Sequence, residues 1–565
     1  MNREWHETTQ PLLYSHLSIR FSDLSSLKEA VFRIIGLDCG KKYLKHARRL
    51  DIIATPSFPD KRTAEEERVL EDTNGTFMDS YIKRWCSPHS RLKASHSGFY
   101  YEPDWSPLEV LLSRLVRVNE LHYVACNMFP SCLLNAIHEF HPKCQLNIWC
   151  HQDSTRPLEY PSEYPIRTRT FFPDIEPFET ALLRSPCLHS LKIQCGVSRS
   201  NSAEYGVQEE AVISALNMAP NLKHIDIGPV LRKEHFVHET NRFWNKLLSS
   251  SPERTSMNTT RPRPISVAID YDIFDCSSVL ATLCRRMDLS LLRFLHLGVF
   301  NPAILQELSR ELPSLEGIFV NLDSMPPISD ARESESRTMD MFLSLKPLRF
   351  IGMKGHCSKG LLNAVLSNHG TTLQSLIIEK SKNNFSFDRR TSGKYNYSMF
   401  DREDISDIAR QVPHLQNLRI SMERPLEKEQ EFAFYNALGK FPSLKNLIID
   451  INCAPKGYSN MDVLARTPVD ETLAGIIWDR ISMNRRNCTL KKLRLVPFGR
   501  DALNSADLAV YFQRMRSLLV TRTGDGDRTI QEIGREQREG ECRLLWDYLH
   551  RQISTHITAD ITAKN

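Results

Sequence analysis

One short pattern of apolar and polar positions returns along the chain. An amphipathic stretch with apolar residues three or four apart gives way to a turn residue, often proline, and then to Leu-x-x-Leu-x-Leu, in which Ile, Val or Met can replace Leu. The cleanest copies are Pro413-His-Leu415-Gln-Asn-Leu418-Arg-Ile420 and Pro442-Ser-Leu444-Lys-Asn-Leu447-Ile-Ile449. Others start at Leu188, Leu222, Leu292, Leu315, Leu348, Leu373 and Leu490, and a further strand-like run covers 265–269. Alternation of period two predicts a strand at each copy, and period 3.6 predicts helices over 209–218, 303–312, 361–368, 405–412, 431–440 and 471–483.

Strand and helix therefore alternate, and such a unit cannot bury its apolar face alone. Stacking on its neighbours gives a parallel sheet, helices outside it and a continuous core between. The expected fold class is α/β, a leucine-rich-repeat solenoid with a curved parallel sheet and outer helices. Its repeats are irregular: successive first leucines lie 23 to 70 residues apart, against about 20 to 29 in the regular repeat. The excess predicts insertions at 251–264, 321–340 and 381–401, where polar turn residues concentrate. Weaker units precede these, at Leu50-Asp-Ile-Ile53 and Leu121-His-Tyr-Val124, the second after a helix-like 108–116. The outline is an N-terminal cap over 1–20, a first repeat-like unit over 21–54, an insertion or connector over 55–106, the repeats over 107–500, and a charged linker with a C-terminal helical cap over 501–565. Leu544, Leu545, Trp546, Tyr548 and Leu549 carry that last helix.

Composition narrows the function classes. The 565 residues are 41% hydrophobic and 25% charged, near globular averages, and no stretch approaches the roughly 20 apolar residues of a membrane span. With Lys+Arg at 73 and Asp+Glu at 68, the net charge of +5 supplies no global field for nucleic acid. Neither membrane nor nucleic acid is an expected partner. Met1-Asn-Arg-Glu-Trp-His-Glu7 lacks a secretory h-region, so the expected location is cytoplasmic or nuclear and the 14 cysteines are expected as thiols.

The opening Arg3-Glu-Trp5-His-Glu-Thr-Thr-Gln-Pro11-Leu12-Leu13-Tyr14-Ser-His-Leu17-Ser-Ile19 resembles the end of an F-box and the strand after it in fungal F-box/leucine-rich-repeat proteins. Taken with the repeats, the resemblance covers nearly the whole chain, although the opening Leu-Pro and first apolar helices of an F-box are missing, as in a truncated or degenerate one. It implies a protein-binding scaffold similar to the substrate-recognition subunit of an SCF-type cullin-RING ubiquitin ligase. Trp5, Leu12, Leu13 and Tyr14 would be what is left of the contact to a Skp-type adaptor. Packing of Trp5 and Tyr14 as a simple cap over the first repeat uses the same aromatics. The alternative functions are a stand-alone repeat scaffold and an enzyme whose site is assembled from distant loops.

Sequence-local chemistry is sparse. Gly524-Asp-Gly526 lacks the strand and spacing of a phosphate loop, and the His-Glu-x-x-His and Gly-x-Ser-x-Gly motifs are missing, so neither catalysis nor a cofactor is expected. Cys126, Cys132, Cys144, Cys150 and His151 could fill a tetrahedral zinc site. Their gaps of five, eleven and five residues and the helix-like 133–140 between them favour buried free cysteines instead. For partner binding, the residues between core leucines point away from the core. Phe294 with His296, then Phe319, then Phe350 occupy those positions, as interface anchors or as core beneath folded-over insertions. Arg419, Lys492 and Arg494 form a smaller basic group, read as solvated surface before an acid-binding patch.

Overall fold

In a computed structural model, the chain is described at residues 9–21, 24–36, 43–54, 105–125, 129–150, 181–197, 213, 216–231, 261–269, 277–298, 301–322, 331–379, 381–382, 395–396, 398–425, 427–453, 469–483, 489–498, 516–522 and 527–533. Trp5, Cys126, His151 and the expected C-terminal helix lie outside these, as do most of the connector over 55–106 and of the helix expected over 209–218. The architecture is mixed α/β, in two units.

The first unit holds β1 (His16–Phe21), α1 (Leu24–Gly36), β2 (Arg49–Ala54), α2 (Ser106–Arg114), β3 (Glu120–Ala125), α3 (Ser131–Phe140), β4 (Gln145–Cys150), β5 (Leu188–Val197), β6 (His224–Leu231), β7 (Ser266–Ile269), α4 (Ser277–Arg286) and β8 (Phe294–Leu297). Each strand pairs in parallel with the next, β1 through β8. Parallel neighbours need a crossover between them, which is what the long segments after each strand provide.

The second unit holds α5 (Pro302–Leu308), β9 (Gly317–Asn321), α6 (Ala331–Ser344), β10 (Phe350–Lys354), α7 (Lys359–His369), β11 (Ser375–Glu379), β12 (Ser381–Lys382), β13 (Tyr395–Asn396), α8 (Arg402–Gln411), β14 (Asn417–Glu423), α9 (Lys428–Leu438), β15 (Asn446–Asn452), α10 (Glu471–Met483), β16 (Lys492–Phe498), β17 (Ser517–Arg522) and β18 (Arg528–Ile533). The order β9-β10-β11-β14-β15-β16 is parallel, and β17 and β18 are added antiparallel. The helices α5 to α10 pack each against the next.

Register explains the leucines. Ile318, Ile351, Leu376, Leu418, Leu447 and Leu493 occupy one column across β9 to β16, and Ile420, Ile449 and Leu495 occupy the column two residues on. All are buried. Together they form the core face of the sheet, and burying each such side chain contributes about 1.5–3 kcal/mol. The same column in the first unit runs Leu50, Leu121 and Leu146. There Trp105, just before α2, meets Phe21 and Tyr123 edge-on, at 6.1 and 6.2 Å between ring centroids.

Helix ends follow local chemistry. The Ser358 hydroxyl accepts from the Leu361 N–H to start α7, and Asp401 and Asp404 cap each other's backbone to start α8. Pro413 and Pro442 stand shortly after the ends of α8 and α9, where proline cannot continue a helix. Gly355 leaves β10 at φ 105°, a conformation that side chains other than glycine's rarely adopt.

Three features differ from the sequence reading. β4 carries no clean copy of the motif, yet Leu146 and Ile148 hold the core columns beside Leu121 and Tyr123. The interval 321–340, expected as an insertion, includes the start of α6, which buries Met341 and Phe342. Strands β17 and β18 form within the charged stretch over 501–565, because Leu518 and Val520 alternate into the core.

Candidate partner-binding site

Strand alternation gives each sheet a second face, opposite the core columns. In the first unit this face carries a polar row held in register: Asp51, His122, Asn147, Ser190, His224, Ser266 and then Phe294. Its members hydrogen-bond to one another and to polar residues beside the row. The Asp51 carboxylate accepts from Arg49 Nε at 2.8 Å and sits 2.8 Å from His16 Nε2. The amide of Asn147 is 3.4 Å from His122 Nε2, and His224 Nδ1 is 2.8 Å from the Ser266 hydroxyl. The hydrogen bond with His122 holds the Glu120 carboxyl below its usual value. Burial pushes the His224 imidazole down to about 3, and the neighbouring His189 and Lys223 add to the effect. Sequence reasoning missed this row because its members are one residue per strand, each dozens of positions from the next.

In the second unit the corresponding face is closed. Phe319 and Phe350 are 8% and 2% exposed and join Ile377 and Ile448 in one apolar cluster, with Val496 packed against it. Phe319 lies over Gly352, where an added Cβ would be 2.2 Å from its ring. Of the two readings of these aromatics, interface anchors or core, Phe319 and Phe350 follow the second. Phe294 is buried as well, and His296 is half-buried.

Of the three basic residues read first as solvated surface, Arg419 and Arg494 are not solvated, and the three form no patch. Arg419 is buried between carboxylates: its Nε donates to Asp450 Oδ2 at 2.9 Å, and its Nη1 donates to Glu379. Arg494 is also buried, whereas Lys492 is exposed. Desolvation alone would drive the buried charge of Arg419 out, but the carboxylates of Asp450 and Glu379 outweigh it and raise its pKa. Beside this pair an amide ladder crosses three strands, from Asn446 Nδ2 to Asn417 Oδ1 at 2.7 Å and from Asn417 Nδ2 to the Ser375 hydroxyl at 2.6 Å.

Of the N-terminal residues, Leu12 and Leu13 are 75% and 71% exposed, next to Phe32 of α1 in degree of exposure. Tyr14 stacks on Tyr43 with ring centroids 4.1 Å apart. The aromatic is engaged within the chain and the two leucines are open.

Among the described residues, no group of three or more His, Cys, Asp or Glu could hold a metal. Of the zinc candidates, Cys144 is buried, its thiol pushed up to about 12 by desolvation with Cys187 and Glu120 nearby, and Cys132 is half-buried on α3. A thiol so protonated is a poor ligand and nucleophile at neutral pH. No described helix is long and apolar enough to cross a membrane. Compared with known proteins, the chain matches no family model and no curated protein.

Proposed function

We propose that this chain is a leucine-rich-repeat solenoid that binds a partner protein, in the manner of the substrate-recognition subunit of an SCF-type ubiquitin ligase. The observation that carries the reading is the register-locked column of Leu-x-x-Leu-x-Leu positions, one strand per copy, with a helix packed on the next helix between most copies in the second unit. Arrays of this kind have no single deep core to build a catalytic cleft around, and their usual work is recognition. The paired exposure of Leu12 and Leu13 supports the adaptor half of the reading, since two open leucines beside the first strand suit an apolar partner surface.

The test is an affinity pull-down from the source cells with the full chain as bait, read by mass spectrometry. Co-purification of a Skp-type adaptor and a cullin, lost in Leu12→Asp with Leu13→Asp, is the expected result. Recovery of other partners without the adaptor would leave a stand-alone scaffold and remove the ligase role.

A further inference from the structure

We propose that the second unit binds an acidic, extended peptide segment along the N-terminal ends of its parallel strands; this deepens the binding-scaffold reading and rests on it. The residues that precede these strands form one row: Arg349, Gln374, Gln416, Lys445 and Lys491, continued by Arg522 at the end of the antiparallel β17. The backbone ties the row together. Gln374 N–H donates to Arg349 O at 2.8 Å, Gln416 to Gln374 at 2.8 Å, Lys445 to Gln416 at 2.8 Å, Lys491 to Lys445 at 2.7 Å and Arg522 to Lys491 at 3.0 Å.

By the same backbone bond the row begins at Glu316, before β9, whose carbonyl accepts from the Arg349 N–H at 2.8 Å; from Arg349 onward it holds four cations, two amides and no carboxylate. Arg349 Nη2 donates to Gln374 Oε1 at 3.1 Å, and Lys445 Nζ donates to Gln416 Oε1 at 2.9 Å. Each glutamine oxygen thus accepts from its cationic neighbour. The result is a line of donors, the complement of a line of carboxylates. Arg349, Lys491, Lys492 and Arg522 are exposed, and Lys445, Lys491 and Lys492 have no carboxylate partner among the described residues. This contrasts with Arg419, whose charge is neutralised within the sheet.

Strand spacing sets the length of the ligand. Six positions about 4.8 Å apart span about 24 Å, which an extended chain rising about 3.3 Å per residue covers in about seven residues. The row contains no aromatic side chain on which a base could stack, which favours a peptide over single-stranded nucleic acid.

The experiment is fluorescence anisotropy on the full chain with a labelled polyglutamate peptide of about eight residues, and with a thymidine oligonucleotide of equal length. The test pair is Lys445→Glu with Lys491→Glu, and the control pair of equal charge change is Arg402→Glu with Lys428→Glu, both exposed on α8 and α9. Circular dichroism melts check that both fold; should the test pair not fold, Lys445→Gln with Lys491→Gln replaces it. The expected result is peptide binding that weakens about tenfold in the test pair, changes little in the control, and fades with salt. No peptide binding by the parent chain, or equal losses in the two pairs, overturns the proposal. Tighter oligonucleotide binding lost in the same test pair overturns it in favour of nucleic acid. If pulled-down partners survive the test pair, the acidic segment is ruled out while the scaffold reading stands. Peptide binding without adaptor recovery leaves this site in place and removes only the ligase role.

Discussion

Arg419 and Asp450 face each other across neighbouring strands with two hydrogen bonds, Nε to Oδ2 at 2.9 Å and Nη2 to Oδ1 at 3.2 Å, and the Asp450 side chain is fully buried. A buried pair of this kind is costly to break from one side, because the partner left behind keeps its desolvation penalty. Arg419→Met is expected to lower stability by about 3 kcal/mol, and Arg419→Met with Asp450→Leu by less than the sum of the two single changes. Urea titrations of the four chains measure this. A cost for Arg419→Met below about 1 kcal/mol would show that the pair behaves as surface charge.

Gly352 is the only residue type that fits beneath Phe319. A methyl there would sit 2.2 Å from Phe319 Cδ2 and 2.9 Å from Cε2, so Gly352→Ala is expected to destabilise by about 1–3 kcal/mol through overpacking. Phe319→Ala removes the obstacle, and adding Gly352→Ala to it should cost little. Thermal melts of the two singles and the double decide the point; strictly additive losses would mean that the ring does not rest on the glycine.

His369 is held neutral. Its Nδ1 accepts from the Leu348 N–H at 3.1 Å, which places the proton on Nε2, donated to the Phe342 carbonyl at 3.0 Å. Burial pushes it down to about 4 from 6.5, against the hydrogen bond to Phe342. The unfolded chain therefore binds a proton that the folded chain refuses. The stability this histidine contributes is present above about pH 6.5 and is lost as pH falls towards 4, with a slope of at most about 1.4 kcal/mol per pH unit. His369→Gln should flatten the pH dependence of the urea midpoint across that window, whatever it does to the midpoint itself. An unchanged slope would show that His369 is not buried in the neutral form.

Cys144, Cys284 and Cys357 have thiols pushed up to about 12 by desolvation. They should resist alkylation in the folded chain at mildly alkaline pH and react once denaturant is added, with the half-buried Cys132 modified before all three. Iodoacetamide labelling followed by peptide mass spectrometry gives the order. Rapid labelling of Cys357 in the folded chain would contradict its burial.

The positions of the strands were legible because the pattern is local. Leu418 and Ile420, or Leu447 and Ile449, declare a buried face within a few residues, and Pro413 and Pro442 mark where a helix has just stopped. The strand β4 was not legible, since Leu146-Asn-Ile148 has too few apolar positions to stand out before its neighbours supply the pairing. Nor was α6, whose first turns are charged and whose apolar side consists only of residues near its end. The binding residues fared differently. A basic or aromatic residue between two core leucines is marked by the sequence as facing away from the core, but whether that face is open depends on what else reaches it. Phe319 and Phe350 turned out to be closed in, Arg419 to be neutralised, and Lys492 to be exposed.

The sequence by itself determined the alternation of strand and helix and the choice of residues for the core face, because both follow from periodicity over a few residues and from the free energy of burying leucine and isoleucine. Only the tertiary structure decided which distant side chains meet: Asp450 with Arg419, Gly352 with Phe319, Lys445 with Gln416. Those meetings depend on parallel register, and register is fixed by stacking strands that lie tens of residues apart, so no local stretch of sequence contains it.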